Sequence, residues 1–111
     1  AANPAILCVA VEPEGSEPLA GKAVIKPRHI VQGTGYGMVP PHWDAGLMDI
    51  SLSVADAEVE HWHHQLACRE GLYVGFSAAA NVCAAAKLLA SGRLGGNATV
   101  ATVLCDTGLK Y

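Results

Sequence analysis

Three stretches of this sequence bring together residue types that could do chemistry. The first is "GTGYG", Gly33 to Gly37, with Thr34 and Tyr36 between the glycines. Glycine-rich turns let backbone N–H groups close around an anion, but a phosphate loop of that kind needs a strand before it and a helix directly after it. Here Pro40 and Pro41 follow, and a proline pair discourages a helix from starting on the loop. The pattern favours instead a backbone that must pass close to something flat or bulky. The second is "EHWHH", Glu60 to His64, with Cys68 four residues further on. On a helix, His61, His64 and Cys68 would share one face and could offer two imidazoles and a thiolate to zinc. The third is "CDTG", Cys105 to Gly108, where a threonine hydroxyl at the end of an apolar run could donate to or accept from a ring atom of a cofactor.

Each has a plainer reading beside it. The histidine face would lie opposite an apolar stripe and be solvated, so a surface cluster without a metal is the simpler account. Thr107 could merely open a turn. Cys83 or Cys105 could serve as a nucleophile only with a base oriented toward it, and the sequence supplies none nearby. The lysines Lys22, Lys26, Lys87 and Lys110 have loop, helix-end or terminal settings, none of which resembles a desolvated amine.

The elements that must position these residues follow from periodicity. "AILCVAV" at 5–11 is a short apolar run suited to a strand buried on both faces, as in a parallel sheet. From Pro13 to Pro41 the chain is rich in proline and glycine and reads as irregular, too long for a mere connection. "ISLSV" at 50–54 alternates as a second strand does. Asp56 is expected to cap a helix through about Glu70, stopped by Gly71, with Val59, Trp62, His63, Leu66 and Ala67 as its buried stripe. "LYVGF" at 72–76 is a short strand or extended turn. Ser77 is expected to cap the alanine-rich helix that Ser91 and Gly92 end. "ATVATVLCD", from Ala98, is expected to be the third clear strand, delivering Thr107 to its carboxyl end.

Strands alternating with helices predict an α/β fold of three to four mostly parallel strands with flanking helices, whose ligands gather at the strands' carboxyl ends. At 111 residues the chain is expected to be a single domain spanning 1–111. A hydrophobic share of 51% against 15% charged residues indicates a folded chain. The net charge of -3 and the scattered basic residues argue against nucleic acid and against a polybasic membrane signal. With no transmembrane run and no signal-peptide order, the expected setting is soluble and cytoplasmic. The four cysteines, without a CxxC pair, are expected to be buried free thiols.

Taken in order, "NPAILCVAVEPEGS", "RHIVQGTGYGMVP", "WDAGLMDISLSVADAE", "LACREGLYVGFSAAANVCAAAKLL" and "TVATVLCDTGLKY" resemble the final third of the cysteine synthase (O-acetylserine sulfhydrylase) family. These are fold type II enzymes that use pyridoxal phosphate (PLP). The family pattern has an "AVEP.GS" strand, an "H.IQGIGAGF.P" loop, an "EGI.VGISSGAA" helix start and a closing "PDSGERY". The likeness covers essentially the whole chain. Departures are Thr34 and Tyr36 for isoleucine and alanine, Ala78 and Ala79 for Ser-Gly, and Cys105 for proline.

The resemblance implies part of the large domain of that fold and a cofactor edge built by Gly33, Thr34, Gly35, Tyr36 and Thr107. The glycines would let backbone lie against the pyridine ring, and Thr107 would meet the ring nitrogen with a neutral hydroxyl, which suits β-elimination and β-replacement. The Schiff-base lysine and the phosphate cup belong to the family's earlier two thirds. The expectation is therefore a fragment of a PLP enzyme that binds no cofactor alone, carries no catalytic residue of its own, and needs a complementary amino-terminal chain or homo-oligomerises. A free-standing scaffold domain and a zinc-binding protein remain as alternatives.

Overall fold

A computed structural model describes residues 2–26, 28–31 and 37–110, with Lys110 described for its backbone only. Two parallel strands, β1 (Val9–Pro13) and β2 (Ile50–Val54), pair in the register Val9↔Ile50 to Pro13↔Val54. β1 begins four residues later than the apolar run predicts. Ile6 is 57% exposed, because pairing starts only where Asp49 and Ile50 donate to the Cys8 carbonyl at 2.9 and 3.2 Å. The fold class is the expected α/β, and the pairing is parallel as predicted.

Helix α1 spans Asp56–Glu70 and α2 spans Phe76–Ala90. The first cap differs from expectation by one residue. Ala55 is the N-cap, and its N–H donates to Glu58 Oε1 at 3.0 Å. Asp56, already helical, turns its carboxylate outward to accept from the Ile30 N–H at 3.2 Å and to meet Lys26 Nζ at 3.3 Å. Gly71 ends α1 at φ 69, a left-handed conformation that glycine adopts without a Cβ penalty. α2 likewise starts one residue before the predicted cap, with Gly75 as N-cap and Ser91 as C-cap.

The predicted α1 stripe faces inward. Val59 and Leu66 are buried and Trp62, His63 and Ala67 half-buried, while His61, His64 and Cys68 are exposed. α2 lies against both strands, and its alanines permit close approach: Ala79, Ala80, Cys83 and Ala84 form the core with Val31, Val54 and Val59. A smaller cluster joins Leu66, Val74 and Ala78. Lys87 fastens the assembly from outside, reaching Glu58 Oε1 at 2.7 Å and the Ser53 carbonyl at 3.0 Å.

Two expectations are corrected. The third predicted strand is extended over residues 98–105 but has no ladder among the described residues, because a strand needs a neighbouring edge and β1 lies across an open cleft. Of the four cysteines, all free, only Cys83 is fully buried; Cys8 is half-buried, and Cys68 and Cys105 are exposed. Among the described residues no helix is long and apolar enough to cross a membrane.

Candidate functional site

Thr107 stands where sequence reasoning expects it, at the end of the extended carboxy-terminal stretch. A single antiparallel bridge joins it to Val74, just ahead of α2. Two further bonds pin this corner: Gly75 N–H donates to the Asp106 carbonyl at 3.1 Å, and Gly108 N–H to the Tyr73 carbonyl at 3.0 Å. The Thr107 hydroxyl accepts from the Leu109 N–H at 3.3 Å and donates to the Tyr73 carbonyl across a long 3.5 Å. The residue is solvent-exposed, and among the described residues its hydroxyl is held by one bond within its own turn and one long bond across to Tyr73.

Gly108 makes the corner possible. A Cβ there would sit 2.7 Å from the Tyr73 ring, inside contact distance. The Tyr73 ring in turn meets His63 at 5.7 Å between centroids, and His63 meets Phe76 at 4.7 Å. His63 Nε2 is buried there without a hydrogen-bond partner among the described residues.

Gly33, Thr34, Gly35 and Tyr36 lie outside the described residues, so the expected cofactor loop is located only by its flank. Val31, two residues before it, is 1% exposed and packs in the core with Val54 and Val59. Val31 thus lies beside Val54 at the carboxyl end of β2, the end where parallel sheets hold ligands. Ile25 and Lys26 are tied to this end as well, both donating to the Gly15 carbonyl in the turn that follows β1.

That turn holds a feature the sequence reading missed. Glu12 and Glu17, only 3% and 8% exposed, fold inward around Ser16. Burial pushes the Glu12 carboxyl above its ordinary range, although the Leu19 N–H donates to it at 3.2 Å. Glu17 moves the other way, chiefly because the Gly15 N–H donates to its Oε1 at 2.8 Å, with Lys22 assisting. Opposite shifts in adjacent carboxyls follow from unequal partners. The sequence signal was "EPEGSE" itself, three acids around a Gly-Ser turn. Asn81 was also missed: its Nδ2 donates to the Val103 carbonyl at 3.0 Å and tethers the extended stretch to α2. A lone amide in "AAANVCAAA" was the available clue.

The alternatives gain little from this geometry. His64 Nε2 is 3.5 Å from Cys68 Sγ, but the His61 ring meets Trp62 in a T-shaped pair, and among the described residues no three metal-ligating side chains converge. Burial raises the Cys83 thiol, with Glu58 adding to the effect, which suppresses the reactive thiolate.

The fit to PLP is partial. An exposed, neutral hydroxyl at Thr107 suits a pyridine nitrogen. No described lysine amine stands ready for a Schiff base, since Lys22, Lys26 and Lys87 are each in an ion pair.

Comparison with known proteins points the same way. The family described as "Pyridoxal-phosphate dependent enzyme" matches residues 1–106. Cysteine synthase A of Escherichia coli (strain K12) is 31% identical over 110 residues, covering 96% of this chain and 34% of that protein. A hydrogen sulfide-producing enzyme from Fusobacterium nucleatum superposes with a TM-score of 0.84 at 30% identity, over 97% of this chain and 36% of its own. An O-acetylserine dependent cystathionine beta-synthase from Helicobacter pylori gives 0.78 at 32% identity, over 95% and 33%. The chain thus spans about a third of the length of the curated relatives it matches. The match over nearly all its length, together with a fold shared with these solved structures, makes the chain a member of the pyridoxal-phosphate dependent enzyme family, related to the cysteine synthases.

Proposed function

We propose that this chain is the carboxy-terminal part of a cysteine synthase-like enzyme that performs β-replacement on O-acetylserine or a related amino acid, and that it supplies the ring-nitrogen edge of the PLP site. Thr107 carries the reading: a neutral hydroxyl, exposed at the end of the extended stretch and held by one bond of 3.3 Å and one of 3.5 Å. Such a group turns toward a ring nitrogen at little cost and leaves it unprotonated. PLP, when bound, supplies the electron sink that lets a β-substituent leave an amino acid. By the family resemblance, Gly33 and Gly35, in the loop with Thr34 and Tyr36, would let backbone lie against the ring and the amino-acid substrate. His63 and Phe76 hold the Tyr73 ring over Gly108 and thereby keep Thr107 in place.

Alone, the chain holds no PLP and is inactive; a complementary chain or a longer polypeptide completes the site. The reading is supported by the ion-paired settings of Lys22, Lys26 and Lys87. The test is to mix the purified chain with PLP, reduce with borohydride and read intact and peptide masses. Scattered, substoichiometric labelling is expected. Complete labelling of one lysine would show that the chain builds a cofactor site of its own, and the proposal of incompleteness would fall.

A further inference from the structure

The four free cysteines allow a comparison within one chain. Cys83 is buried, and burial raises its thiol. Cys8 is half-buried. Cys68 and Cys105 are both exposed, but their sulfurs meet different groups. Cys105 Sγ lies 3.6 Å from the Val103 carbonyl and 3.7 Å from Asn81 Nδ2, and neither a carbonyl nor an amide takes up a proton near neutral pH. Cys68 Sγ lies 3.5 Å from Nε2 of His64 and 3.8 Å from its Nδ1. A neutral imidazole has one bare nitrogen, so either tautomer sets a base beside the sulfur. The fold fixes this pair: the two residues lie one turn apart on α1, and both are exposed while Val59 and Leu66 face inward. Among the described residues no third ligand joins them, so the pair does not make a metal site, but a thiol and a base are what nucleophilic chemistry needs.

We propose that Cys68 is a modification site, a surface thiol that His64 activates as general base toward small-molecule disulfides. The Cys68 proton passes to the imidazole as Sγ bonds to one sulfur of the disulfide. The disulfide's S–S bond breaks, and the departing thiolate takes the proton back from the imidazolium. One disulfide bond is exchanged for another, so no further oxidant enters: Cys68 ends as a mixed disulfide and one free thiol is released. The position on the helix says what His64 must supply. Cys68 stands in the last turn of α1, where the helix dipole does not favour a thiolate. Proton transfer during the attack, rather than a resting ion pair, is therefore the contribution of the imidazole. The inference stands apart from the proposed β-replacement and uses none of its residues.

The experiment is to incubate the reduced, folded chain with glutathione disulfide near neutral pH, quench with acid at intervals and follow each cysteine by peptide mass spectrometry. Cys68 is expected to gain one glutathionyl group at least about tenfold faster than Cys105, the other exposed thiol. His64→Gln removes the base from an exposed position, so thermal unfolding should not change. In that variant the Cys68 rate is expected to fall about tenfold while the Cys105 rate stays as it was. His61→Gln is the companion variant: its imidazole is exposed on the same helix but meets Trp62 instead of the thiol, and the Cys68 rate should be unaffected. Equal rates at Cys68 and Cys105, or a Cys68 rate that His64→Gln leaves unchanged, would overturn the site. An equal loss in His61→Gln would overturn it too, since the effect would then come from the charge of the helix face and not from a base in contact with the sulfur.

Discussion

The molecule has two halves that use similar residues to different ends. In one, β1, β2, α1 and α2 meet around Val31, Val54 and Val59, and ladder, caps and core agree. In the other, residues 98–105 carry as much β-branched apolar sequence, yet they form no ladder among the described residues, with Val103 68% exposed. The difference shows that composition makes a strand possible and a neighbouring edge makes it real. The proposed function belongs to the second half, because Thr107 sits at the end of the incompletely supported stretch.

The contrast breaks most sharply if the first half is not the structural one. Val59 is fully buried between α1 and α2, so Val59→Asp places an unpaired carboxylate in the core at a cost of about 3–5 kcal/mol. Loss of the cooperative urea transition is the expected outcome. A variant that unfolds within about 1 kcal/mol of the parent would mean that the core lies elsewhere.

How much of this was legible in the sequence follows the same division. α1 was readable to within a residue and the start of α2 to within two, because helical hydrogen bonds and stops such as Gly71 are local. The parallel pairing was readable as well, since short apolar strands joined by long connections allow little else. The partner of residues 98–105 was not, because strand pairing is decided by whatever edge arrives from outside the segment. Position and type of Thr107 could be read, but the Tyr73 ring over Gly108 and the Asn81 tether are contacts between distant residues that no local pattern announces. Nor could the inward turn of Glu12 and Glu17 be read, since acids in a Gly-Pro-rich stretch are normally solvated.

Lys87 sharpens the comparison at the seam of the first half. Lys87→Met removes the amine that bridges Glu58 and the Ser53 carbonyl. The pair is more than a third exposed, so screening holds its worth to about 1 kcal/mol or less. The pH dependence carries more information. Lys87 chiefly holds the Glu58 carboxyl below its ordinary value of 4.5, so the contribution of Glu58 is present above that value and lost as pH falls through the lowered pKa. In Lys87→Met that acid-side loss should shrink. Urea midpoints between pH 3 and 6 that run parallel in the two proteins would assign the depression to another group.

Glu12 supplies the opposite sign at the carboxyl end of β1. Its pKa is raised by burial, so the folded state binds the proton more tightly than the unfolded chain. Its contribution is full below 4.5 and is lost as pH rises through the raised value. Glu12→Gln keeps an acceptor for the Leu19 N–H and removes the titration. The variant should gain urea resistance relative to the parent as pH rises from 5 to 8, and should match it near pH 4. Equal midpoints at every pH would show that Glu12 meets water or a cation in solution.

The smallest effect is expected in the second half, and it tests the comparison most directly. Val103 sits in the most strand-like sequence of the chain, but its side chain is 68% exposed and its carbonyl, not its side chain, is what Asn81 holds. Val103→Ser should therefore change the stability of the isolated chain by less than about 0.5 kcal/mol, as exposed substitutions do. The same change in a paired strand would remove packing on at least one face and lower β propensity. A loss above about 1 kcal/mol in the chain alone would mean that residues 98–105 already pack against a neighbour in solution. The division into a completed half and an open half would then be wrong, and Thr107 would belong to a corner already finished without any partner.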